Sequence, residues 1–250
     1  MSEENHKGER IAKVMARAGL CSRREAECWI EAGRVQVNGE RLASAACVVG
    51  VDDRIEVDGR LLGLAEEARL FLYHKPSGLV STHKDERGRK TVFDMLPKEL
   101  PRVMSVGRLD LNTEGLLLLT NDGGLSRYLE LPATGWSRRY RVRVLGAVDE
   151  ARLADLKGGI TVEGVRYKSI EAKLEQTGKS GANRWISVTL REGKNREIRR
   201  VMGALGLQVN RLIRVGYGPF ELNKLPCGGV QEVEAHVMKA QIPGYFKGHV

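Results

Sequence analysis

The sequence predicts an α+β protein in two parts, a small N-terminal module of helices and short strands followed by a larger strand-rich domain. Three observations predict it. Apolar residues recur at helical spacing between Glu9 and Ile30, as the buried stripe of an amphipathic helix requires. From Leu70 onward the apolar stretches are mostly short and strand-like, and the helical stretches between them do not follow a regular β-α-β rhythm. Between the two parts, Gly63 to Arg69 reads GLAEEAR, a short, small and acidic stretch that suits a linker. A chain of 250 residues can hold two modest domains, each with its own core. The expected boundaries are residues 8–62 for the module and 68–245 for the larger domain.

Ile11, Val14, Met15 and Ala18 line one face of the first expected helix, and Gly19 supplies a left-handed stop. Ser22 and Glu25 then form a capping box, in which each side chain satisfies an orphan amide of the second helix. That helix carries Ala26, Trp29 and Ile30 on one face and ends near Gly33. Val35-Gln36-Val37 alternates as a short strand before an Asn38-Gly39 turn, and Arg54 to Gly59 suggests a second strand and turn. In the larger domain, strands are expected at Leu70 to Tyr73, Leu116 to Thr120, Tyr140 to Leu145 and Trp185 to Leu190. Helices are expected at Val148 to Leu156 and at Glu197 to Leu205, where Ile198, Val201, Met202 and Leu205 share a face. No solenoid repeat or low-complexity tract interrupts this order.

Composition narrows the class. The N-terminal MSEENHKGER has no apolar stretch behind its charges, and the Leu116 to Leu119 run is far too short to span a bilayer, so no membrane partner is expected and the reading is cytoplasmic. Cys21, Cys28, Cys47 and Cys227 contain no C-x-x-C pair and no His at ligand spacing, which suggests neither zinc nor a disulfide framework. The formal net charge of +9 favours an anionic partner, nucleic acid being the commonest, although solubility alone also accounts for basic surfaces. Its distribution is uneven. Residues 1–66 hold 10 Lys and Arg against 12 Asp and Glu, net −2, so residues 67–250 hold 31 against 20, net +11.

In the module, Lys13, Arg17, Arg23 and Arg24 cluster around the junction of the two helices, where helix amides, dipole and guanidinium groups can hold phosphates together. By charge alone an ordinary solvated face fits equally well. The whole string RIAKVMARAGLCSRREAECWIEAGRVQVNG, however, resembles the S4 domain, the αL-type RNA-binding module of ribosomal protein S4. That resemblance implies contacts to structured RNA, with Arg23 and Arg24 foremost.

Further on, His74-Lys75-Pro76-Ser77-Gly78 reads as a turn after a strand, where Lys75 could meet a phosphate. Ser105-Val106-Gly107-Arg108-Leu109-Asp110-Leu111-Asn112-Thr113-Glu114-Gly115 sets a carboxylate among apolar neighbours on a Gly-bounded loop that leads into an apolar strand. Such a carboxylate needs a cationic or hydrogen-bonding partner to stay ionised. An isolated Asp-Leu-Asn reads first as an Asx-type turn. The full string resembles the catalytic motif of pseudouridine synthases, in the RsuA branch that modifies bacterial ribosomal RNA with an S4 domain in front. The pattern continues through Arg138-Arg139-Tyr140-Arg141-Val142 and through Glu192-Gly193-Lys194-Asn195-Arg196-Glu197-Ile198-Arg199-Arg200-Val201-Met202. One departure is Arg138, where the family pattern has Lys.

The resemblance implies a catalytic domain with a mixed, mainly antiparallel sheet, and it carries roles onto three matching positions. Asp110 matches the essential aspartate, Tyr140 the tyrosine that stacks on the target base, and Arg199 the basic residue that pairs with the aspartate. Lys75, Arg108, Lys194, Arg196 and Arg200 are candidate RNA contacts, with Arg211 and Arg214 extending a phosphate-lined groove. No cofactor or metal is expected, and the phosphate-loop motif is absent. The expected partner is ribosomal RNA, and the enzyme is expected to act as a monomer. The Lys-Asn-Arg-Glu-Ile-Arg-Arg wording looks more like the members that modify 23S RNA than like those for 16S RNA. The rival is a non-catalytic S4-type RNA-binding or ribosome-assembly protein, which would predict a broken catalytic string.

Overall fold

A computed structural model describes residues 8–175 and 182–247; the first seven residues, read above as free of any apolar stretch, lie outside the described set. The described chain divides into two compact units. One runs to Ala68 and takes in Leu100–Val103 and Asn121–Gly123; the other comprises Arg69–Glu99, Met104–Thr120 and the chain from Gly124 onward.

The first unit opens with β1 (Glu9–Arg10), α1 (Ile11–Arg17) and α2 (Arg23–Glu31). Gly19 takes φ 76°, the left-handed stop expected of it. Ser22 Oγ accepts from the Glu25 amide at 3.1 Å while Glu25 Oε2 accepts from the Ser22 amide at 2.7 Å, closing the capping box. There follow β2 (Val35–Val37), β3 (Glu40–Arg41), β4 (Val48–Val49), β5 (Ile55–Val57) and β6 (Arg60–Leu61). A four-stranded sheet runs in the order β3-β2-β5-β6, and β4 pairs with β1. Ile11, Met15, Ala26, Ile30, Val35 and Ile55 meet in one core, so the helical stripe and the alternating strands bury the same apolar set.

The second unit contains β7 (Leu70–Lys75), β8 (Met104–Ser105), β9 (Glu114–Thr120), α3 (Gly123–Glu130), β10 (Arg138–Leu145) and α4 (Glu150–Asp155). It continues with β11 (Ile160–Val162), β12 (Val165–Tyr167), β13 (Ile170–Leu174), β14 (Asn183–Leu190) and α5 (Glu197–Ala204). Last come β15 (Gln208–Tyr217), β16 (Phe220–Glu221), β17 (Val230–Val233), α6 (Ala235–Gln241) and α7 (Pro243–Phe246). Among the described residues one nine-stranded sheet follows the path β13-β14-β10-β15-β9-β7-β17, with β16 beside β15 and β8 beside β9. The fold is α+β with a mixed, mainly antiparallel sheet, as expected. Its one parallel pairing joins β15 to β9 through two register pairs, Ile213↔Glu114 and Arg214↔Gly115.

β9 is buried on both faces, with Leu116 to Leu119 all without exposed surface, which explains an unbroken apolar run where alternation would mark a half-exposed strand. On the β10, β13 and β14 side, Val142, Val144, Ile186 and Val188 pack against Leu153 of α4 and Ile198, Val201 and Met202 of α5. This packing fixes α5, and with it the basic residues at its start. No helix of the described residues is long and apolar enough to cross a membrane.

Candidate active site

Asp110 lies on the loop that enters β9, and each backbone position from Leu109 to Thr113 is held. Ser81 Oγ donates to the Leu109 carbonyl at 3.0 Å and accepts from its amide at 3.3 Å. The Thr113 amide donates to the Asp110 carbonyl at 3.0 Å, and the Gly78 amide donates to the Leu111 carbonyl at 2.8 Å. Lys75 Nζ donates to the carbonyls of Pro76, Leu111 and Thr113 at 3.0, 3.3 and 2.9 Å. Arg199 Nη2 donates to the Asn112 carbonyl at 2.8 Å. The loop is therefore rigid by construction, and the Asp110 carboxylate projects from it with 32% of its side chain exposed.

Two expectations are corrected here. Lys75 was expected at phosphate, but it has no exposed surface and its ammonium is committed to the loop carbonyls. Burial pushes that ammonium down to about 8, with Asp110 and Glu114 pulling it back, so it is mostly charged at neutral pH. Arg199 was expected to pair with Asp110, yet the ion pair is made by Arg196, whose Nη1 lies 3.7 Å from Asp110 Oδ2. Arg199 instead bonds the Asn112 and Val209 carbonyls. Half-burial lowers its pKa first, Arg196 adds to that, and the Asp110 charge opposes both. The physical reason lies in the backbone. Arg196 takes left-handed φ 50°, ψ 30° just before α5, while the Arg199 guanidinium is taken up by the Asn112 and Val209 carbonyls.

Tyr140 is half-buried on β10 at an irregularity in the β10–β15 register, between Arg139 and Tyr140. It stands opposite Arg214, which is itself opposite Gly115 on β9. Strands lie about 4.8 Å apart, so the tyrosine is two strands from the residue into which the Asp110 loop feeds. Arg214, expected in a phosphate groove, is 3% exposed; its Nε donates to the Leu116 carbonyl at 2.6 Å and its guanidinium lies over the Tyr217 ring. Arg211 is likewise occupied by Glu114, at 3.0 and 2.8 Å. Lys194 pairs with Glu192 at 3.0 Å and lies over the Tyr167 ring. Arg108, Arg196 and Arg200 are exposed.

In the N-terminal unit, Lys13 and Arg17 both pair with Glu9, the latter at 2.7 Å, while Arg23 and Arg24 are exposed in the first turn of α2. Ser81, Gly78 and the structural role of Lys75 escape sequence reasoning, because the Ser81 and Gly78 bonds and two of the three made by Lys75 reach far along the chain and leave no local pattern.

The sheet that carries the clamped aspartate loop and the small N-terminal unit each match a known domain family. The chain belongs to the RNA pseudouridylate synthase family, whose profile matches residues 69–204, and an S4 domain profile matches residues 9–55. It is therefore an isomerase. Among individual proteins, it is 46% identical to an RNA pseudouridine synthase of Rickettsia felis over 92% of this chain and 99% of that one. It is 47% identical to ribosomal large subunit pseudouridine synthase B of Salmonella typhi over 90% of this chain and 79% of that one. A solved pseudouridylate synthase superposes with a TM-score of 0.63 at 29% identity, covering 92% of this chain and 99% of its own.

Proposed function

We propose that this enzyme isomerises a uridine of large-subunit ribosomal RNA, with Asp110 as the catalytic carboxylate. The observation that carries this reading is the loop in which every backbone position from Leu109 to Thr113 is held while the Asp110 carboxylate remains accessible. Isomerisation breaks the bond between uracil N1 and the ribose anomeric carbon, and joins C5 to the same carbon. The C5 proton leaves to solvent and N1 gains one, so the reaction is redox-neutral. Asp110 serves as nucleophile at the anomeric carbon or as base toward a ribose proton. Tyr140 offers an aromatic face on which the detached uracil turns, and Arg196 and Arg199 supply positive charge beside the carboxylate and its loop. The large-subunit target rests on the similarity to ribosomal large subunit pseudouridine synthase B.

The test uses purified full-length protein with 23S and 16S transcripts, each with a uridine C5 tritium label. Tritium release from 23S RNA alone is expected, unchanged by EDTA or by omission of nucleotides while the RNA fold is verified. Release from 16S RNA alone, or recovery only with a specific divalent metal on folded RNA, would overturn the reading.

The module at residues 8–62 is proposed to recruit RNA. Removing residues 1–62 is expected to weaken binding far more than the single-turnover rate. If Lys13, Arg17, Arg23 and Arg24 neutralise about three or four phosphates, the salt dependence of log affinity flattens by roughly two to three units. An unchanged slope with a collapsed rate would show that the module builds the active site instead.

A further inference from the structure

Beneath the turn that leads into α5 lie two carboxyl groups, Glu192 and Glu197. Glu197 is 4% exposed, its Oε1 is buried without a hydrogen-bond partner, and the Glu192 charge acts on it. Glu197 Oε2 accepts from the Lys194 amide at 3.0 Å, and the Glu197 amide donates to the Lys194 carbonyl at 3.2 Å, closing residues 194–197 into a turn. Glu192 in turn accepts from the Lys168 amide at 2.6 Å and from Lys194 Nζ at 3.0 Å, while Lys194 Nζ donates to the Arg166 carbonyl. These contacts tie the turn to β12. Inside the turn sits Arg196 in its left-handed conformation, and such a non-glycine residue holds that conformation only where its surroundings dictate it.

We propose that Glu197 is a positioning residue for the isomerisation, which through its bond to the Lys194 amide fixes the turn that delivers Arg196 to Asp110 and Arg199 to the Asn112 carbonyl. This rests on the assignment of Asp110. A polar side chain buried only to start a helix would be wasteful, since an exposed Ser or Asp caps as well. Here the buried carboxyl sets the backbone on both sides of Arg196.

Burial pushes the Glu197 carboxyl up to about 7, against the Lys194 amide and with the help of the Glu192 charge. Glu192 stays below its usual range: burial alone would raise it, but the Lys168 amide and the Lys194 ammonium outweigh that. Around these two carboxyls, Lys194 Nζ meets Glu192, the Arg166 carbonyl and the Tyr167 ring, and the Lys168 amide meets Glu192.

The experiment compares Glu197→Ala and Glu197→Gln in the full chain by single-turnover rate at saturating enzyme, RNA affinity and melting temperature. Glu197→Ala is expected to slow turnover by about 10–100-fold, the scale of a displacement near 1 Å at a reacting centre, with affinity for RNA kept. Gln retains an acceptor for the Lys194 amide, so Glu197→Gln is expected to restore most of the rate. Melting curves test the buried Glu197 carboxyl separately. A carboxyl raised in the folded state contributes stability that is full below its unfolded value and lost as pH rises through the folded one. The wild-type protein should therefore lose stability relative to Glu197→Gln between about pH 5 and 8. A Gln variant as slow as Ala, an Ala variant at full rate, a loss confined to RNA affinity, or parallel melting curves would each overturn the proposal. Should Glu197→Ala fail to fold, the Gln variant decides through its rate and its melting curve. Asp110→Asn run alongside separates the two readings: if it is inactive while Glu197→Ala runs at full rate, the positioning role alone is rejected, and if it is active, the site assignment falls and the proposal with it.

Discussion

Asp110→Asn is expected to lower the single-turnover rate by on the order of 10⁴-fold or more, the scale seen when a group that acts directly on the reacting atoms is removed. Affinity for RNA should stay nearly unchanged. The substitution is close to isosteric, and the loop around it is gripped through the backbone and not through the carboxylate, by Ser81, Gly78, Lys75 and Arg199. Melting temperature should therefore also hold, since the one ion pair lost is the 3.7 Å contact to a half-exposed Arg196, and exposed pairs are worth about 0–1 kcal/mol. Rate, affinity and melting measured on one preparation check this; a variant that turned over at the wild-type rate would remove Asp110 from the chemistry.

The second large effect is expected in folding. Gly115 has φ 101°, and a Cβ placed on it would stand 2.2 Å from the Arg214 carbonyl oxygen and 2.8 Å from its nitrogen. Both are backbone atoms in one of the only two register pairs between β9 and β15, so no side chain can swing aside. A left-handed alanine costs about 1–2 kcal/mol and the overlap about 1–3 more. Gly115→Ala should thus be less stable by roughly 2–5 kcal/mol, a fall in melting temperature on the order of 10 °C. Activity should fall with it, because the Asp110 loop enters the sheet at this residue. A variant that melted with the wild type would show that the β9–β15 seam does not have this geometry.

Where chemistry is local, the sequence was legible. The Ser22–Glu25 capping box, the Gly19 stop and the helical face of Ile198, Val201 and Met202 all follow from spacing within a turn or two, and the structure has them. The order of strands did not follow. β15 carries Arg211 and Arg214, and two nearby arginines suggest an exposed phosphate groove, although three residues apart on a strand they face opposite sides of the sheet. Only the fold reveals that Glu114 occupies one and that the other is buried against Leu116 and Tyr217. The same holds for Lys75, whose three carbonyl partners lie next to it or more than thirty-five residues away. That Arg196 pairs with Asp110 while Arg199 is taken up by the Asn112 and Val209 carbonyls is signalled by no composition or periodicity.

The central claim is that Asp110 of this enzyme makes a pseudouridine in large-subunit ribosomal RNA. It is tested most directly by mapping pseudouridines across 23S and 16S RNA from cells that lack the gene and carry back either the wild-type copy or Asp110→Asn. The account predicts one 23S position, or one small cluster, that is pseudouridine with the wild-type copy and uridine with Asp110→Asn, and no change in 16S RNA. A 23S map that is the same with either copy, or a site that Asp110→Asn restores, would contradict it.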